Sequence, residues 1–234
     1  MEQAVILAGG RGRRLAPYTS ILPKPLMPLA EDKAILEHVL GGVARAGISR
    51  VTITLGYMGH LIEAVVGSGE KYGVHVTYTK EDTPMGTAGP LGLLDNVAPD
   101  DRLLVVNGDT FTDLNYRLVL DQLDGDTDGV VTCLNRDLPT NYGVVGIDDS
   151  GKLATWDEKP IISLTVSTGI YGLKGSALDL LPSSLPMDMP QLLLALKDAG
   201  RPVRCLVADC QWKDLGRPED FAELQGQTDG RHRL

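Results

Sequence analysis

Four stretches of this chain combine residue types and spacing that can handle a polyphosphate. The first is Gly9-Gly10-Arg11-Gly12-Arg13-Arg14, which follows the apolar run Val5-Ile6-Leu7. An apolar run that stops abruptly at glycines reads as a buried parallel strand feeding a phosphate-binding turn, and three arginines set fixed cations beside it. The second is Lys24, flanked by Pro23 and Pro25, which bias its backbone toward an extended shape before any ligand arrives. In the third, the apolar run Leu103 to Val106 ends at Asn107-Gly108-Asp109. A carboxylate at the C-terminal end of a parallel strand stands in the crevice where α/β sheets bind ligands, and a hard oxygen donor suits Mg²⁺ carried by phosphates. Asp113, directly before a helix expected to begin near Leu114, reads instead as that helix's N-terminal cap. The fourth is Gly86-Thr87-Ala88-Gly89, which follows a strand and opens a helix. Glycines there let main chain approach a flat ring, and free N–H groups can read a base edge.

These stretches need a sheet to converge on. Helical periodicity over Ala34 to Ala46, with Gly47 as a stop, alternates with strands at Val51 to Leu55 and His75 to Tyr78 and a second helix through Leu61 to Val66. That alternation predicts an α/β fold, Rossmann-like, with a mainly parallel mixed sheet and helices on both faces. From Arg136 the texture changes to short strands and turns, at Tyr142 to Asp148, Lys152 to Asp157 and Ser167 to Leu173, which predicts a small antiparallel lobe over the mouth of the crevice. Helices near Ala177 to Leu181 and Met189 to Ala199 and a strand at Val203 to Val207 follow. His38 and His60 read as packing or surface histidines, and the acidic run Asp121 to Asp128 as a solvated turn, since a calcium loop's closing glutamate is missing.

Composition narrows the partners. The 234 residues fit a single domain, taken as 1–224 with a loose polar tail at 225–234, and the net charge of −9 argues against nucleic acid. The arginines are therefore a local site. Three cysteines without Cys-x-x-Cys spacing indicate neither a disulfide framework nor a zinc knuckle, and no apolar run is long enough to span a membrane. A cytoplasmic protein is the expectation.

Two common nucleotide motifs fail here. After Gly10-Arg11-Gly12 the dinucleotide fingerprint breaks at Leu15, and no Gly-Lys-Ser/Thr of a P-loop occurs. What remains resembles the G-G-x-G-x-R-L and P-K-P signature of the sugar-1-phosphate nucleotidyltransferases, or nucleotide-sugar pyrophosphorylases, and is closest in motif to members like the mannose-1-phosphate guanylyltransferases. Further blocks extend the resemblance in order: Gly86-Thr87-Ala88-Gly89, Asn107-Gly108-Asp109, Asn141-Tyr142-Gly143, Asp157-Glu158-Lys159-Pro160, Ser167-Thr168-Gly169 and Trp212-Lys213-Asp214-Leu215-Gly216. Arg13 stands where threonine or serine is common, and Asp157 replaces a frequent glutamate.

The resemblance implies a nucleotide-binding half at 1–135, using Leu7, Ala8, Gly9, Gly10, Gly12, Arg13, Gly86, Thr87, Gly89 and Asn107. It implies a sugar-phosphate-binding half at 136–224, using Gly143, Glu158, Lys159 and Thr168; no hexapeptide repeats follow in this sequence, so the C-terminal β-helix of some relatives is not expected. Asp214 joins Asp109 as a second Mg²⁺ ligand. Arg14 would face the departing phosphates and Lys24 the α-phosphate. The implied reaction is in-line attack of a sugar 1-phosphate on the α-phosphorus of a nucleoside triphosphate, GTP by the G-T-A-G block, releasing pyrophosphate. An already ionised phosphate nucleophile needs no general base, so positioning and charge neutralisation supply the rate. The alternatives are cytidylyl or uridylyl transfer to another sugar, cyclitol or non-sugar phosphate such as phosphocholine or a phosphonate, and a silent nucleotide-sugar sensor. The family allows a homodimer, although no apolar stripe marks its interface.

Overall fold

The computed structural model describes residues 1–30, 33–182 and 186–216. The end of the expected domain at 224, the tail at 225–234, and Arg217, Pro218 and Phe221 lie outside the described residues.

In chain order the elements are β1 (Glu2–Ala8), β2 (Pro28–Ala30), β3 (Lys33–Ala34), α1 (Ile35–Arg45), β4 (Arg50–Leu55), α2 (Gly59–Val66), β5 (His75–Lys80), β6 (Arg102–Asn107), β7 (Thr110–Thr112) and α3 (Arg117–Leu120). They continue with β8 (Gly129–Pro139), β9 (Gly143–Ile147), β10 (Leu153–Glu158), β11 (Ile161–Lys174), α4 (Met189–Asp198), β12 (Val203–Val207) and β13 (Trp212–Asp214).

Seven strands form one sheet in the order β12-β8-β11-β6-β1-β4-β5. β1 lies parallel to both β4 and β6, and β5 extends the parallel run beyond β4. β11 runs antiparallel to β6 and β8. The mixed, mainly parallel sheet is thus the expected one. Its central strands β1 and β6 are apolar on both sides: Ala4, Ile6 and Ala8 of β1 face the core beneath α1, α2 and α3, while Val5 joins Leu103, Val105 and the α4 residues Met189, Leu192 and Leu196 on the opposite face. A strand buried on both faces has to be continuously apolar, which is why these runs were readable. A third, smaller cluster consists of Leu15, Met27, Leu29, Ile35 and Leu215, and Leu22 packs against both it and the first core.

The antiparallel lobe is present as the two-stranded sheet of β9 and β10, and β11 is longer than the strand expected from Ser167, because its first half pairs with the end of β8 out to Ile161↔Pro139. The helix expected at Ala177 to Leu181 is a 3₁₀ segment at Gly175–Leu180.

Three local expectations are corrected. Lys24 is not extended: it opens a 3₁₀ turn (Lys24–Leu26), in which Leu26 N–H donates to Pro23 O at 2.9 Å and Met27 N–H to Lys24 O at 3.0 Å. Burial of Leu26 and Met27 outweighs the pre-proline bias. Asp113 caps no helix, since α3 begins only at Arg117; its Oδ1 accepts the Gln211 N–H at 2.8 Å and so ties the segment before β13 to the segment after β7. The acidic run is not wholly solvated either, because Asp128 accepts from Arg201 Nε at 2.6 Å and faces Lys174 Nζ at 3.6 Å.

Candidate active site

β1, β4, β5 and β6 all end at the same edge of the sheet, so the loops after them surround one space. That space is a cavity of about 950 Å³. The turn after β1 forms its floor. Gly9 and Gly56 approach so closely there that a Cβ on Gly56 would lie 2.6 Å from Gly9 O, and Tyr57 N–H donates to that same oxygen at 3.2 Å. Gly12 takes the left-handed φ of 59°, which turns the chain toward Arg13 and Arg14, and its carbonyl is fixed by Leu15 N–H at 2.9 Å and Thr19 Oγ1 at 3.1 Å. Arg11, Arg13 and Arg14 stay exposed at the rim.

Lys24 arrives at this rim from a different loop. Its side chain is only 6% exposed, and its ammonium pairs with Asp109 Oδ2 and lies 3.5 Å from Asp214 Oδ1. The two carboxylates are distant in sequence but adjacent in space because β7, which follows Asp109 directly, pairs antiparallel with β13 through Asp214↔Thr110. Arg14 completes the group, 3.9 Å from Asp214 Oδ2.

Two outside contacts hold this ribbon in place. Trp212 Nε1 donates to Thr168 O at 2.8 Å, where β11 breaks register between Ser167 and Tyr171. On the other strand, His38 stacks on Phe111 with ring centroids 4.7 Å apart, and its Nε2 lies 2.7 Å from Thr112 O. Burial depresses the His38 pKa, consistent with a neutral packing histidine.

A hard divalent cation fits the aspartate pair. Both carboxylates already converge on one ammonium, and among the described residues no further His, Cys, Asp or Glu joins them into a ligand set. Phosphate oxygens and water would have to complete the shell, which is the mixed coordination Mg²⁺ prefers.

The other expected site residues divide into three groups. Leu7, Ala8, Gly9, Gly10, Gly12, Arg13, Arg14, Lys24, Gly86, Thr87, Asn107 and Asp109 all line the cavity. Gly89, Thr168 and Asp214 do not, Asp214 meeting the lining only through its contacts with Lys24 and Arg14. Gly89 is buried at the start of a 3₁₀ segment, and Thr168 is 2% exposed with its hydroxyl donating to Thr132 O. Gly143, Glu158 and Lys159 form a separate cluster on the β9–β10 hairpin, outside the lining: Gly143 and Glu158 are register partners, Glu158 Oε2 accepts from Trp156 Nε1 at 3.2 Å, and Lys159 turns the chain at φ 49°.

The free N–H groups expected over Gly86 to Gly89 are largely occupied. Thr87 N–H donates to Asp188 Oδ1, while Ala88 and Gly89 donate to Met187 O. The residue that sequence reasoning missed is Glu81. It lines the cavity just past β5, its Oε2 accepts Met85 N–H at 2.9 Å, and burial raises its pKa against the lowering effect of that bond. Thr54, Gly56 and Tyr57 were missed as well, although they lie at or just past the end of β4, next to β1, and adjacency in a parallel sheet could have pointed to them.

Known proteins give the same direction. The chain is 29% identical to a UTP–glucose-1-phosphate uridylyltransferase of Synechocystis, across 94% of this chain and 61% of that protein. It is 32% identical to the catalytic subunit beta of mannose-1-phosphate guanylyltransferase of Drosophila melanogaster, across 94% of this chain and 60% of that one. The chain therefore spans about three fifths of the length of these curated relatives. A crystal structure described as a glucose-1-phosphate thymidylyltransferase of Bacillus anthracis superposes with a TM-score of 0.78 at 26% identity, covering 97% of this chain and 95% of that one. Residues 3–229 match the nucleotidyl transferase family, and the chain belongs to it.

Proposed function

We propose that this protein transfers a nucleoside monophosphate from a Mg²⁺-bound nucleoside triphosphate, GTP, to a sugar 1-phosphate, giving a nucleoside-diphosphate sugar and pyrophosphate. The observation that carries the reading is the convergence of Lys24, Asp109, Asp214 and Arg14 at the rim of a glycine-floored cavity. Fixed cations around a phosphoryl centre are what this chemistry needs, because the transition state carries dispersed negative charge and the nucleophile is already ionised.

In this reading the main chain of Gly9 to Gly12 cradles the triphosphate, Arg14 neutralises the departing β- and γ-phosphates, and Lys24 holds the α-phosphate. Asp109 and Asp214 hold Mg²⁺, which when bound offsets phosphate charge and orients the leaving group. Residues 1–135 serve the nucleotide and 136–224 the sugar phosphate, with Gly143, Glu158 and Lys159 on the hairpin supplying a close backbone approach, a hydroxyl acceptor and a phosphate cation.

Glu81 supports guanine as the base. Guanine presents its ring N–H and 2-amino group side by side as donors, and an ionised carboxylate is an acceptor-only partner for both. Uracil and thymine offer a single ring N–H there, flanked by carbonyl oxygens that the same charge repels. The guanylyltransferase relative agrees with this choice, and the uridylyltransferase relative is the reason to test it.

Pyrophosphate release with Mg²⁺, crossing GTP, UTP, dTTP, CTP and ATP against a panel of sugar 1-phosphates, decides the matter. Release with GTP and a sugar phosphate is the expected result. Release with another triphosphate keeps the reaction and discards the guanine reading. Silence across the panel with nucleotide binding intact overturns the reaction.

A further inference from the structure

Lys24 lies against both Asp109 and Asp214, the two carboxylates that would hold a metal ion. Its side chain is 6% exposed, whereas those of the two aspartates are 32% and 49% exposed, so the ammonium is the inner member of the cluster. Arg14 faces the other oxygen of Asp214, and a Cβ on Gly216 would come within 3.0 Å of both the Arg14 guanidinium and Asp214 Oδ1, so Gly216 leaves room for the pair. Two carboxylates thus already face two fixed cations. A divalent ion entering this cluster alone would meet Lys24 at a few ångströms, and among the described residues no third carboxylate joins the pair to offset it. A like charge at that distance weakens ionic binding strongly.

We propose that Lys24 is a built-in stand-in for the metal: in the nucleotide-free protein it holds Asp109 and Asp214 together and keeps Mg²⁺ out until a triphosphate draws its ammonium away. The proposal rests on the reading of the two aspartates as Mg²⁺ ligands. The triphosphate is the natural trigger because it brings the anionic oxygens that give Lys24 and Arg14 new partners, and the same movement frees the carboxylates. The protein would then load Mg²⁺ and nucleotide together, and Lys24 would be delivered to the α-phosphate by the event that fills the metal site.

Mn²⁺ serves as a probe for the Mg²⁺ site, followed by water-proton relaxation, which is enhanced when the ion tumbles with the protein. Wild-type protein with Mn²⁺ alone is expected to show no enhancement at concentrations where added GTP produces one beyond that of Mn²⁺ and GTP without protein. Lys24→Gln is expected to bind Mn²⁺ without nucleotide roughly tenfold to a hundredfold more tightly than wild type, the effect of removing one unit charge a few ångströms away. Adding Asp109→Asn to Lys24→Gln should abolish that gain. Wild-type protein that binds Mn²⁺ alone as well as it does with GTP overturns the proposal without recourse to any variant, and so does Lys24→Gln that gains nothing. If Asp109→Asn holds Mn²⁺ in the presence of saturating GTP as tightly as wild type does, the ligand reading itself has failed, and that outcome is separate from the first two.

Discussion

In the proposed reading the charged residues of the site have separable tasks, so single substitutions should give different signatures. Lys24 pairs with both aspartates and is assigned to the α-phosphate. Lys24→Ala is expected to lower turnover by roughly a hundredfold or more, the scale of losing one charge-stabilising donor, and near-normal pyrophosphate release from the variant would remove Lys24 from that role. Glu81 differs because its burial raises its pKa. A carboxyl with a folded pKa above its unfolded value favours the fold at low pH and loses that contribution as pH rises through the folded value. Its charge therefore costs stability at neutral pH. Glu81→Gln keeps an acceptor for Met85 N–H and removes the charge. Melting temperature should rise at pH 7, with the gain gone below about pH 4, while the preference for GTP over UTP falls by about tenfold or more. Thermal melts at the two pH values with KM for each triphosphate measure both effects. A variant that melts higher with its base preference intact would place Glu81 in the cavity wall and not against the base.

At the level of elements, what was legible depended on whether the signal was local. β1 and β6 showed themselves because strands buried on both faces must be continuously apolar, and α1 because its buried positions Leu36, Val39, Leu40 and Val43 repeat at helical spacing. The site's cations were legible in glycine-arginine and proline-lysine patterns for the same reason. The β7–β13 ribbon was not. Thr110–Thr112 and Trp212–Asp214 are three residues each, and their pairing spans about a hundred positions of chain, so only the resemblance placed Asp214 beside Asp109. Glu81 was illegible because a single acidic residue after a strand carries no pattern, and the turn at Lys24 because the burial that decides it comes from other segments. The ribbon's dependence on β11 is testable. Trp212→Phe retains a ring beside Arg136, whose guanidinium lies 5.5 Å from the indole, but loses the bond to Thr168 O. A loss of about 1 kcal/mol in urea unfolding is expected, together with weaker nucleotide-dependent Mn²⁺ binding, because Asp214 lies two residues along the same strand. Unchanged Mn²⁺ affinity in this variant would show that the ribbon keeps its register without the β11 anchor.

For the molecule as a whole, stability and function draw on different clusters. The two large cores on either face of the sheet hold the fold, whereas Leu15, Met27 and Leu215 share the small third cluster with Leu29 and Ile35. Its three members from the site loops are revealing: Leu15 directly follows Arg14, Met27 closes the turn opened by Lys24, and Leu215 directly follows Asp214. The cluster therefore registers three charged side chains from three loops against one another, and a misplacement of about 1 Å in such a group can lower rate by about a hundredfold. Leu215 is fully buried, so Leu215→Ala should lower unfolding free energy by about 2 kcal/mol, the low end for such truncations because a peripheral cluster can partly collapse. Turnover of the folded variant should fall at least about tenfold. Leu196→Ala, equally buried beneath the opposite face of the sheet, should cost as much stability or more and leave turnover of the folded protein close to wild type. Urea titration followed by circular dichroism and pyrophosphate release at saturating substrates give the two quantities for each variant. Equal turnover in the two folded proteins would mean that Arg14, Lys24 and Asp214 are registered by their own ion pairs; unequal turnover at matched stability would assign that task to the third cluster.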